Sequence, residues 1–350
     1  MTYYGACAPG LEGYVAEVLK ERFPDLSITL SLSGALVFET SCSYDRFNLF
    51  CFNNVFRLIG RAVPYGNGGD PRKALERFVL SFPRRQAGEG LVSASTAGPF
   101  PAGAGFRVVF SLENTPAAVS EDLRARAEDL IASGSGLRVN RSKPGVEFWF
   151  LLRREGAFFM RRLSRHRAWD KLLHPGELPP PLAWVLCRLS DPRSGERIAD
   201  PFCGYGSIPA ARLRHFPPAE FFASDIDGRS LAVTKAKFRG KTAHCCHVNR
   251  LDVAELPRLI PPASLDGVIT DPPWGCYRPA GASPGAGPGE LYERSLGIFA
   301  GLLKPGGRVV MLCGRGDEAG TAAERNGFTL VRHIPILLSG KKAAIYALRV

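Results

Sequence analysis

From residue 197 to residue 313 the sequence alternates short apolar segments with glycine-containing turns and helical segments. Strands that alternate with helices form a mostly parallel sheet with helices on both faces. A closing antiparallel hairpin is predicted at 329–338 and 343–350, around a turn at Gly340. The sequence therefore predicts an α/β fold with a doubly wound, Rossmann-like C-terminal sheet. The predicted strands are 197–200, 220–225, 265–270 and 308–313, the helices 208–215, 229–239 and 291–303, and a turn 304–307.

The first half of the chain predicts smaller α+β units. We expect three domains, at 1–65, 66–165 and 166–350, the last beginning with an opening segment over 166–195. The Gly/Pro-rich stretch 64–71 separates the first two, and a proline run precedes a helix near Leu182. In this half we predict helices at 11–22, 44–57, 71–82 and 117–133, and strands at 35–39, 106–112 and 146–152.

The charge balance favours a polyanionic partner such as nucleic acid. Lys and Arg number 45 against 33 Asp and Glu, a net charge of +12. The excess is concentrated in one cluster, where Phe158, Phe159 and Trp169 alternate with basic residues. Such a cluster suits phosphate contacts and base stacking, but a solvated basic face or packing between domains also explains it. Its basic residues are Arg153, Arg154, Arg161, Arg162, Arg165, Arg167 and Lys171.

The nine cysteines are scattered and form no C-x-x-C pair, so we expect reduced thiols rather than disulfides or a zinc ribbon. The contiguous His244-Cys245-Cys246-His247 would alternate between two faces of an extended chain, so no metal is predicted. No segment approaches the ~18 apolar residues that cross a bilayer, and the start has no signal-peptide pattern. We expect a cytoplasmic protein without a membrane partner, and the sequence leaves the oligomeric state open.

Three predicted strand ends carry polar or glycine-rich segments. After the first strand, 200–207 reads D-P-F-C-G-Y-G-S, whose glycines allow a tight turn close to a ligand. It lacks the further motif residues of NAD and ATP sites. Asp225 is suitably placed to accept hydrogen bonds from ribose hydroxyls, and Asp227 is expected to cap the next helix. Asp252 could place a carboxylate near the edge of an adenine ring, or it could be an ordinary turn residue.

The fourth strand end, 269–275, reads I-T-D-P-P-W-G. Two prolines after a strand fix the backbone and remove amide donors, which leaves carbonyls that only accept hydrogen bonds. An acceptor-lined corner beside an aromatic ring can hold a planar group by its amino hydrogens. We therefore predict a site for an exocyclic base amine; the alternative is a structural loop with a packed tryptophan.

These motifs carry a resemblance. Residues 174–350 resemble the class I S-adenosylmethionine-dependent methyltransferases that modify exocyclic amines: 200–208 is similar to D-P-F-C-G-S-G-T-I, and 271–274 to (D/N)-P-P-(Y/F/W). The pattern is most similar to the THUMP-containing RNA guanine-N2 methyltransferases, whose proline-histidine segment resembles His174-Pro175-Gly176-Glu177-Leu178. In the front half, P-G-L-E at 9–12 resembles the start of their ferredoxin-like unit, and V-E-F-W-F at 146–150 the end of a THUMP-like RNA-binding domain.

The resemblance implies S-adenosylmethionine as the cofactor. Asp225 would then bind the ribose, and Asp252 would face the adenine. Asp271 and the Pro272 carbonyl would accept hydrogens from the target amine, and Trp274 would stack on the base. Tyr205 and Pro209 depart from the family pattern. The implied cofactor residues are Asp200, Phe202, Cys203, Gly204, Gly206, Asp225, Ile226, Asp252 and His174; the catalytic corner is Asp271, Pro272, Pro273 and Trp274; the RNA contacts are Arg161, Arg162, Arg165, Arg167 and Lys171.

The implied reaction is methyl transfer to the N2 amine of a guanosine in tRNA or rRNA, with Asp271 or water receiving the proton. Two alternatives stay open. The same corner could hold adenine in DNA or RNA, or a protein amide, although the net charge argues against a protein substrate. The chain could also be a non-catalytic RNA-binding protein on a methyltransferase scaffold, but the intact motifs argue against this. The Gly/Pro-rich stretch 279–289 suits a lid or a passive loop.

Overall fold

A computed structural model describes residues 1–44, 50–62, 69–82, 100, 103–164, 173–238, 245–274, 288–314 and 316–350. The chain divides into two compact units. The first consists of residues 1–7 and 12–167, and the second of residues 8–11 and 168–350. Within the helices of these ranges, none is long and apolar enough to cross a membrane.

In its described residues the first unit forms one nine-stranded sheet. The strands are β1 (Thr2–Ala6), β2 (Ser27–Leu32), β3 (Ala35–Glu39), β4 (Asn54–Ala62), β5 (Gly105–Leu112), β6 (Thr115–Pro116), β7 (Arg138–Val139), β8 (Val146–Arg153) and β9 (Gly156–Arg162). Across the sheet they follow the order β2-β3-β1-β4-β9-β8-β5-β6, with β7 beside β5. Because β4 pairs with β9, the predicted units 1–65 and 66–165 share this sheet.

Two helices of the first unit begin at side-chain caps, and one of them ends at a glycine. They are α1 (Glu12–Arg22), α2 (Pro71–Leu80) and α3 (Glu121–Ser135). The Asp70 side chain accepts from the Arg72 amide at the start of α2, and Ser120 accepts from the Leu123 amide at the start of α3. Gly136 ends α3 with φ +70°. The predicted helices at 11–22, 71–82 and 117–133 are confirmed to within four residues.

The predicted helix at 44–57 is wrong at its C-terminal end. Residues 54–62 form strand β4, which pairs antiparallel with both β1 and β9; residues 45–49 lie outside the described part of the chain. Val55 and Phe56 are buried, and the Phe56 ring packs edge-on against the rings of Tyr4 and Trp149. Pairing with two distant strands therefore overrides the local helical pattern.

The second unit contains a seven-stranded sheet in the order β12-β11-β10-β13-β14-β16-β15. The first five strands of this order are parallel, and β15 and β16 form an antiparallel hairpin with Gly340 at φ +77° in its turn. The strands are β10 (Arg197–Asp200), β11 (Glu220–Asp225), β12 (Cys246–Arg250), β13 (Leu265–Thr270), β14 (Leu303–Cys313), β15 (Thr329–Leu338) and β16 (Lys341–Arg349). The predicted doubly wound α/β fold with a closing hairpin is confirmed.

Six helices flank this sheet in the described residues: α4 (Pro180–Leu189), α5 (Ser207–His215), α6 (Gly228–Lys237), the short α7 (Leu256–Leu259), α8 (Pro288–Leu302) and α9 (Gly316–Arg325). The predicted turn at 304–307 lies instead within β14. Leu303 pairs with Leu265 and Arg308 with Gly267, so residues 304–307 form an irregular bulge where the register shifts. Gly306 has φ +75°, which explains why the segment reads as a turn.

Candidate active site

The parallel strands of the second unit bring the four predicted loops to one edge of the sheet. β12, β11, β10 and β13 are neighbours in that order and run in the same direction. Their last residues are Arg250, Asp225, Asp200 and Thr270. The segments that follow lie side by side at the carboxyl ends of the strands, where doubly wound sheets bind ligands.

The Asp200 carboxyl group joins the glycine-rich loop to the strand that leads into the Asp-Pro-Pro-Trp corner. Its side chain is 0% exposed, and its Oδ1 accepts hydrogen bonds from the Phe202 amide at 3.2 Å and from Thr270 Oγ1 at 2.8 Å. Burial raises the pKa of Asp200 well above its ordinary value. Its Oδ2 is buried without a hydrogen-bond partner among the described residues.

The two glycines of the loop adopt backbone conformations that L-residues avoid. Gly204 has φ +47° and Gly206 has φ +80°. The Gly204 amide donates to Asp225 Oδ2 at 2.8 Å, and its carbonyl accepts from Thr234 Oγ1 at 2.7 Å. A Cβ at Gly206 would lie 2.9 Å from Thr234 Oγ1 and 3.0 Å from Thr234 Cγ2. The loop is therefore held tightly against α6, with glycine required at position 206.

The remaining residues of this loop lie partly inside the protein. Cys203 is buried, and its amide donates to the Ser224 carbonyl at 2.9 Å, so the loop is also tied to β11. Burial raises the pKa of the Cys203 thiol, which keeps it neutral. Phe202 is half-buried and packs against the apolar core of the unit. Both side chains thus anchor the loop to the protein interior.

Asp225 organises the loop as well as ending β11. Besides the bond from Gly204, its Oδ1 accepts from the Asp227 amide at 2.9 Å, and burial raises its pKa. Ile226 is 49% exposed beside it. Asp227 accepts from the amides of Arg229 and Ser230 and caps α6, as the sequence predicts.

The Asp252 carboxylate has hydrogen-bond partners that give it a structural role. It accepts from the Ala254 amide at 2.8 Å and forms a capping box with Glu255 at the start of a short 3₁₀ helix. Arg294 of α8 also donates to its Oδ1 at 3.1 Å. Asp252 lies after β12 at the same sheet edge, so the adenine contact stays a prediction beside this capping role.

The opening segment packs against the glycine-rich loop through contacts that sequence reasoning missed. The His174 ring stacks on Tyr205 with ring centroids 4.2 Å apart and planes 10° apart. Glu177 Oε1 accepts from Lys237 Nζ at 2.6 Å, and Lys237 also donates to the Tyr205 carbonyl at 2.7 Å. His174 and Tyr205 each belong to a motif found in the sequence, the proline-histidine segment and the glycine-rich loop, so both could be singled out from the sequence. Lys237 belongs to no motif, so its contacts could not be predicted.

The Asp-Pro-Pro-Trp corner follows β13 directly. Trp274 folds back so that its Nε1 donates to Asp271 Oδ1 at 2.8 Å. Pro272 is buried and Pro273 is exposed. Burial raises the pKa of Asp271 to about 7, and the hydrogen bond from Trp274 opposes this rise. The corner therefore holds a carboxyl group that changes charge near neutral pH, next to an indole ring.

Two of the predicted RNA contacts lie within the first sheet. Arg161 is 8% exposed, and its guanidinium lies 4.4 Å from the centroid of the Phe100 ring. Arg162 donates to Glu147 at 3.0 Å. Both lie in β9, between β4 and β8, so the sheet itself occupies these side chains. Arg165, Arg167 and Lys171 lie outside the described residues.

Other members of the same cluster are also structural. Phe158 and Phe159 are fully buried, and Arg153 is buried with hydrogen bonds to Glu155, the Tyr4 hydroxyl and the Ser33 carbonyl. The expectation of base stacking on these phenylalanines is therefore wrong. Both phenylalanines lie in β9, a strand whose two faces are buried.

Nothing in the described residues resembles a metal centre. No group of three or more His, Cys, Asp or Glu side chains in these ranges is placed to hold a metal ion. Of the His-Cys-Cys-His run at 244–247, Cys246 is buried, and His247 Nε2 lies 3.7 Å from Glu220 Oε1. His244 falls outside the described ranges.

The sequence and the fold of this chain are similar to those of known methyltransferases. A domain described as RMKL-like methyltransferase matches residues 167–336. The chain is 30% identical over 247 residues to a tRNA (guanine(6)-N2)-methyltransferase of Thermus thermophilus, covering 69% of this chain and 68% of that protein. It is 27% identical over 191 residues to a tRNA (guanine(10)-N2)-dimethyltransferase of Methanothermobacter thermautotrophicus, covering 52% and 54%. The crystal structure of TrmN from Thermus thermophilus matches with a TM-score of 0.72 at 24% identity, over 99% of each chain.

Proposed function

The chain belongs to the RMKL-like methyltransferase family that includes the THUMP-containing tRNA guanine-N2 methyltransferases, and we propose that it methylates the N2 amine of a guanosine in tRNA. It is an S-adenosylmethionine-dependent methyltransferase. The observation that carries the proposal is the single edge at which the glycine-rich loop and the Asp-Pro-Pro-Trp corner meet, joined by the hydrogen bond from Thr270 to Asp200.

The residues of the loop fit S-adenosylmethionine. The turn at Gly204 and Gly206 presents backbone rather than side chains, and a Cβ at Gly206 would collide with Thr234. Asp200, which begins this loop segment, also has a buried Oδ2 that lacks a described partner. We propose that Gly204 and Gly206 hold the amino acid end of the cofactor. Asp225 and the exposed Ile226 follow on the next strand and are proposed to contact its ribose and adenine.

The corner is proposed to orient the amine. A guanine amine is a weak nucleophile because its lone pair is delocalised into the ring. Hydrogen bonds from the amine to Asp271 and to the Pro272 carbonyl would hold it in line for attack, next to the Trp274 ring. When bound, S-adenosylmethionine would supply a methyl group from a positively charged sulfur, and that sulfur would keep the electron pair of the broken carbon–sulfur bond. We propose that Asp271, as the carboxylate, receives the released proton.

The RNA is proposed to be held by the first unit together with Arg165, Arg167 and Lys171. Both relatives described above act on tRNA, and the net charge of +12 favours a polyanion. Arg161 and Arg162 are left out of this proposal because Phe100 and Glu147 engage them. A cytoplasmic location, expected from the sequence, stays a prediction.

The test uses the purified full-length chain with radiolabelled S-adenosylmethionine and either unmodified tRNA or unmodified rRNA. After digestion to nucleosides, we expect labelled N2-methylguanosine from tRNA. The matched control is Asp271→Asn, which keeps the size of the side chain and removes its charge. We expect this variant to bind S-adenosylmethionine with unchanged affinity in calorimetry and to transfer no methyl group. Label in adenosine, or in protein added to the reaction, would overturn the proposed substrate.

A further inference from the structure

We propose that Trp274 is a positioning residue for the transfer, and that its indole N–H fixes Asp271 Oδ1 so that Oδ2 faces the target amine. This inference rests on the proposed function and adds to the stacking role implied by the sequence. It gives the indole nitrogen a task separate from that of the ring face, and the two tasks can be tested apart.

The geometry gives the carboxylate one fixed oxygen and one available oxygen. Among the described residues, the only hydrogen bond to the Asp271 side chain comes from Trp274 Nε1, at 2.8 Å. An ionised carboxylate offers about four lone-pair positions, so the second oxygen retains its capacity to accept an amine hydrogen. A carboxylate fixed through one oxygen loses the freedom to rotate about its χ2 angle. Its remaining oxygen is thereby aimed before substrate arrives, which is how preorganised acceptors assist a reaction.

The position of the indole is itself fixed by the end of β14. A Cβ added at Gly314 would lie 2.6 Å from both Cβ and Cγ of Trp274, closer than real Cβ contacts approach. The tryptophan therefore lies directly on the backbone of Gly314, which immediately follows the strand. Pro272 and Pro273 restrict the chain between the two hydrogen-bonded side chains. The Gly314 backbone on one side and the two prolines on the other thus set the direction of the indole N–H.

The titratable groups near Asp271 do not stabilise its carboxylate, and this makes the indole N–H important. Tyr292 of α8 and Cys313 of β14 face the carboxyl group, and burial raises the pKa of both, so they are neutral at physiological pH. Asp200 of β10 adds a second buried carboxyl group. Among the groups of these elements that face Asp271, the Trp274 N–H is the one that favours the carboxylate form.

The decisive variant is Trp274→Phe, which keeps an aromatic face and removes the donor. We expect its kcat at pH 7 to fall about tenfold, the size typical for loss of one hydrogen bond to a charged group. The acid limb of its rate–pH profile should move to higher pH, so that much of the loss is recovered near pH 9. The dissociation constant for S-adenosylmethionine should not change. A uniform loss at every pH would mean that the ring only packs or stacks, and would overturn the proposal.

A matched control is Trp149→Phe in the first unit. Trp149 Nε1 also donates to a carboxylate, that of Glu147, at 3.3 Å. This variant removes an indole–carboxylate bond far along the chain from the corner, so the pH at the midpoint of its acid limb should coincide with that of the wild type, whatever the variant does to RNA binding by the first unit. A second variant, Gly314→Ala, displaces the indole while keeping both Trp274 and Asp271. It should shift the acid limb in the same direction as Trp274→Phe, and an unshifted limb would count against the proposal.

A measurement without turnover separates this inference from the proposed function. The Asp271 carboxyl carbon can be titrated by ¹³C NMR in aspartate-labelled protein, with Asp271→Asn identifying its signal. The midpoint should rise in Trp274→Phe relative to the wild type; an equal midpoint overturns the inference even if the enzyme is active. If the wild type methylates no RNA while the midpoint rises, the proposed substrate fails and the link between the two residues stands.

Discussion

The Thr270 hydroxyl donates a 2.8 Å hydrogen bond to Oδ1 of the buried Asp200, across the pairing of β10 with β13. One residue further along the chain is Asp271, and two residues after Asp200 the Phe202 amide donates to the same oxygen. The bond therefore joins the proposed cofactor loop to the proposed amine-binding corner through two adjacent strands.

The first prediction concerns this bond. Thr270→Val keeps the shape of the side chain but leaves Asp200 Oδ1 with the Phe202 amide alone. A buried polar group that loses a partner costs ~1–3 kcal/mol, so we expect the free energy of unfolding to fall by about that amount. Urea unfolding at pH 7 measures it. Thr270→Ser retains the hydroxyl and loses only the methyl group, so it should lose much less; a loss in Thr270→Val no larger than in Thr270→Ser would show that the hydrogen bond contributes no more than the methyl group does.

The second prediction tests the fit of the loop. Gly206→Ala forces a Cβ to within 2.9 Å of Thr234 Oγ1 and adds strain at a φ of +80°. The loop must shift, so we expect the dissociation constant for S-adenosylmethionine, measured by calorimetry, to rise at least about tenfold, since one tenfold step corresponds to about 1.4 kcal/mol.

Gly195→Ala is the control for this loop variant. Gly195 has φ +79°, and an added Cβ there meets nothing within 4 Å, so the variant carries the strain without the collision. It should lose stability but bind the cofactor as the wild type does. Equal binding by both alanine variants would remove the loop from the cofactor site.

Much of this site was predictable because its signals are local. Asp200, Asp225 and Thr270 end the strands predicted from short apolar runs, and parallel strands must place those ends at one edge. Asp227 was expected as a cap because Asp before a helical segment is a common N-cap, and it does cap α6. In these places a few neighbouring residues determine the structure.

The errors arose where partners lie far apart in the sequence. Residues 54–57 pair with β1, about fifty positions away, and residues 56 and 57 also pair with β9, about a hundred positions away, so their strand conformation depends on distant residues. Arg162 is bound by Glu147 of the neighbouring strand. Lys237 reaches Glu177 across 60 residues. Periodicity and composition carry no record of such partners, so the sequence predicts Arg161 and Arg162 as RNA contacts without any sign that the sheet engages them.

The third prediction separates two neighbouring aspartates. Asp225→Ala removes the proposed ribose acceptor and the partner of the Gly204 amide, so S-adenosylmethionine should bind more weakly. Asp227→Ala removes only the cap of α6, which costs about 1 kcal/mol of stability. Calorimetry on both variants, with urea unfolding to report stability, distinguishes the roles. If Asp227→Ala weakened cofactor binding as much as Asp225→Ala, the effect would come from movement of α6 and not from a lost ribose contact.

The fourth prediction follows from the charge of Asp271. Its pKa is raised to about 7 in the folded protein, against an ordinary aspartate value near 4 in the unfolded chain. Between these values the folded state holds a proton that the unfolded state releases. The contribution of Asp271 to stability is therefore fully present below about pH 4 and is lost as pH rises through about 7. Catalysis has the opposite dependence, because the carboxylate is the form that accepts the amine hydrogen and the proton.

Both dependences can be measured on the same pair of proteins. Asp271→Asn removes the titration while Asp200 and Asp225 remain in both proteins, so their own pH effects cancel to first approximation. In urea unfolding, the stability of the variant relative to the wild type should increase between pH 4.5 and pH 8. In methyl-transfer assays, the wild-type rate should rise with pH to a plateau above about pH 7. A stability difference that does not change with pH would mean that Asp271 is already ionised at pH 4.5, and a rate that falls with rising pH would exclude its carboxylate as the proton acceptor.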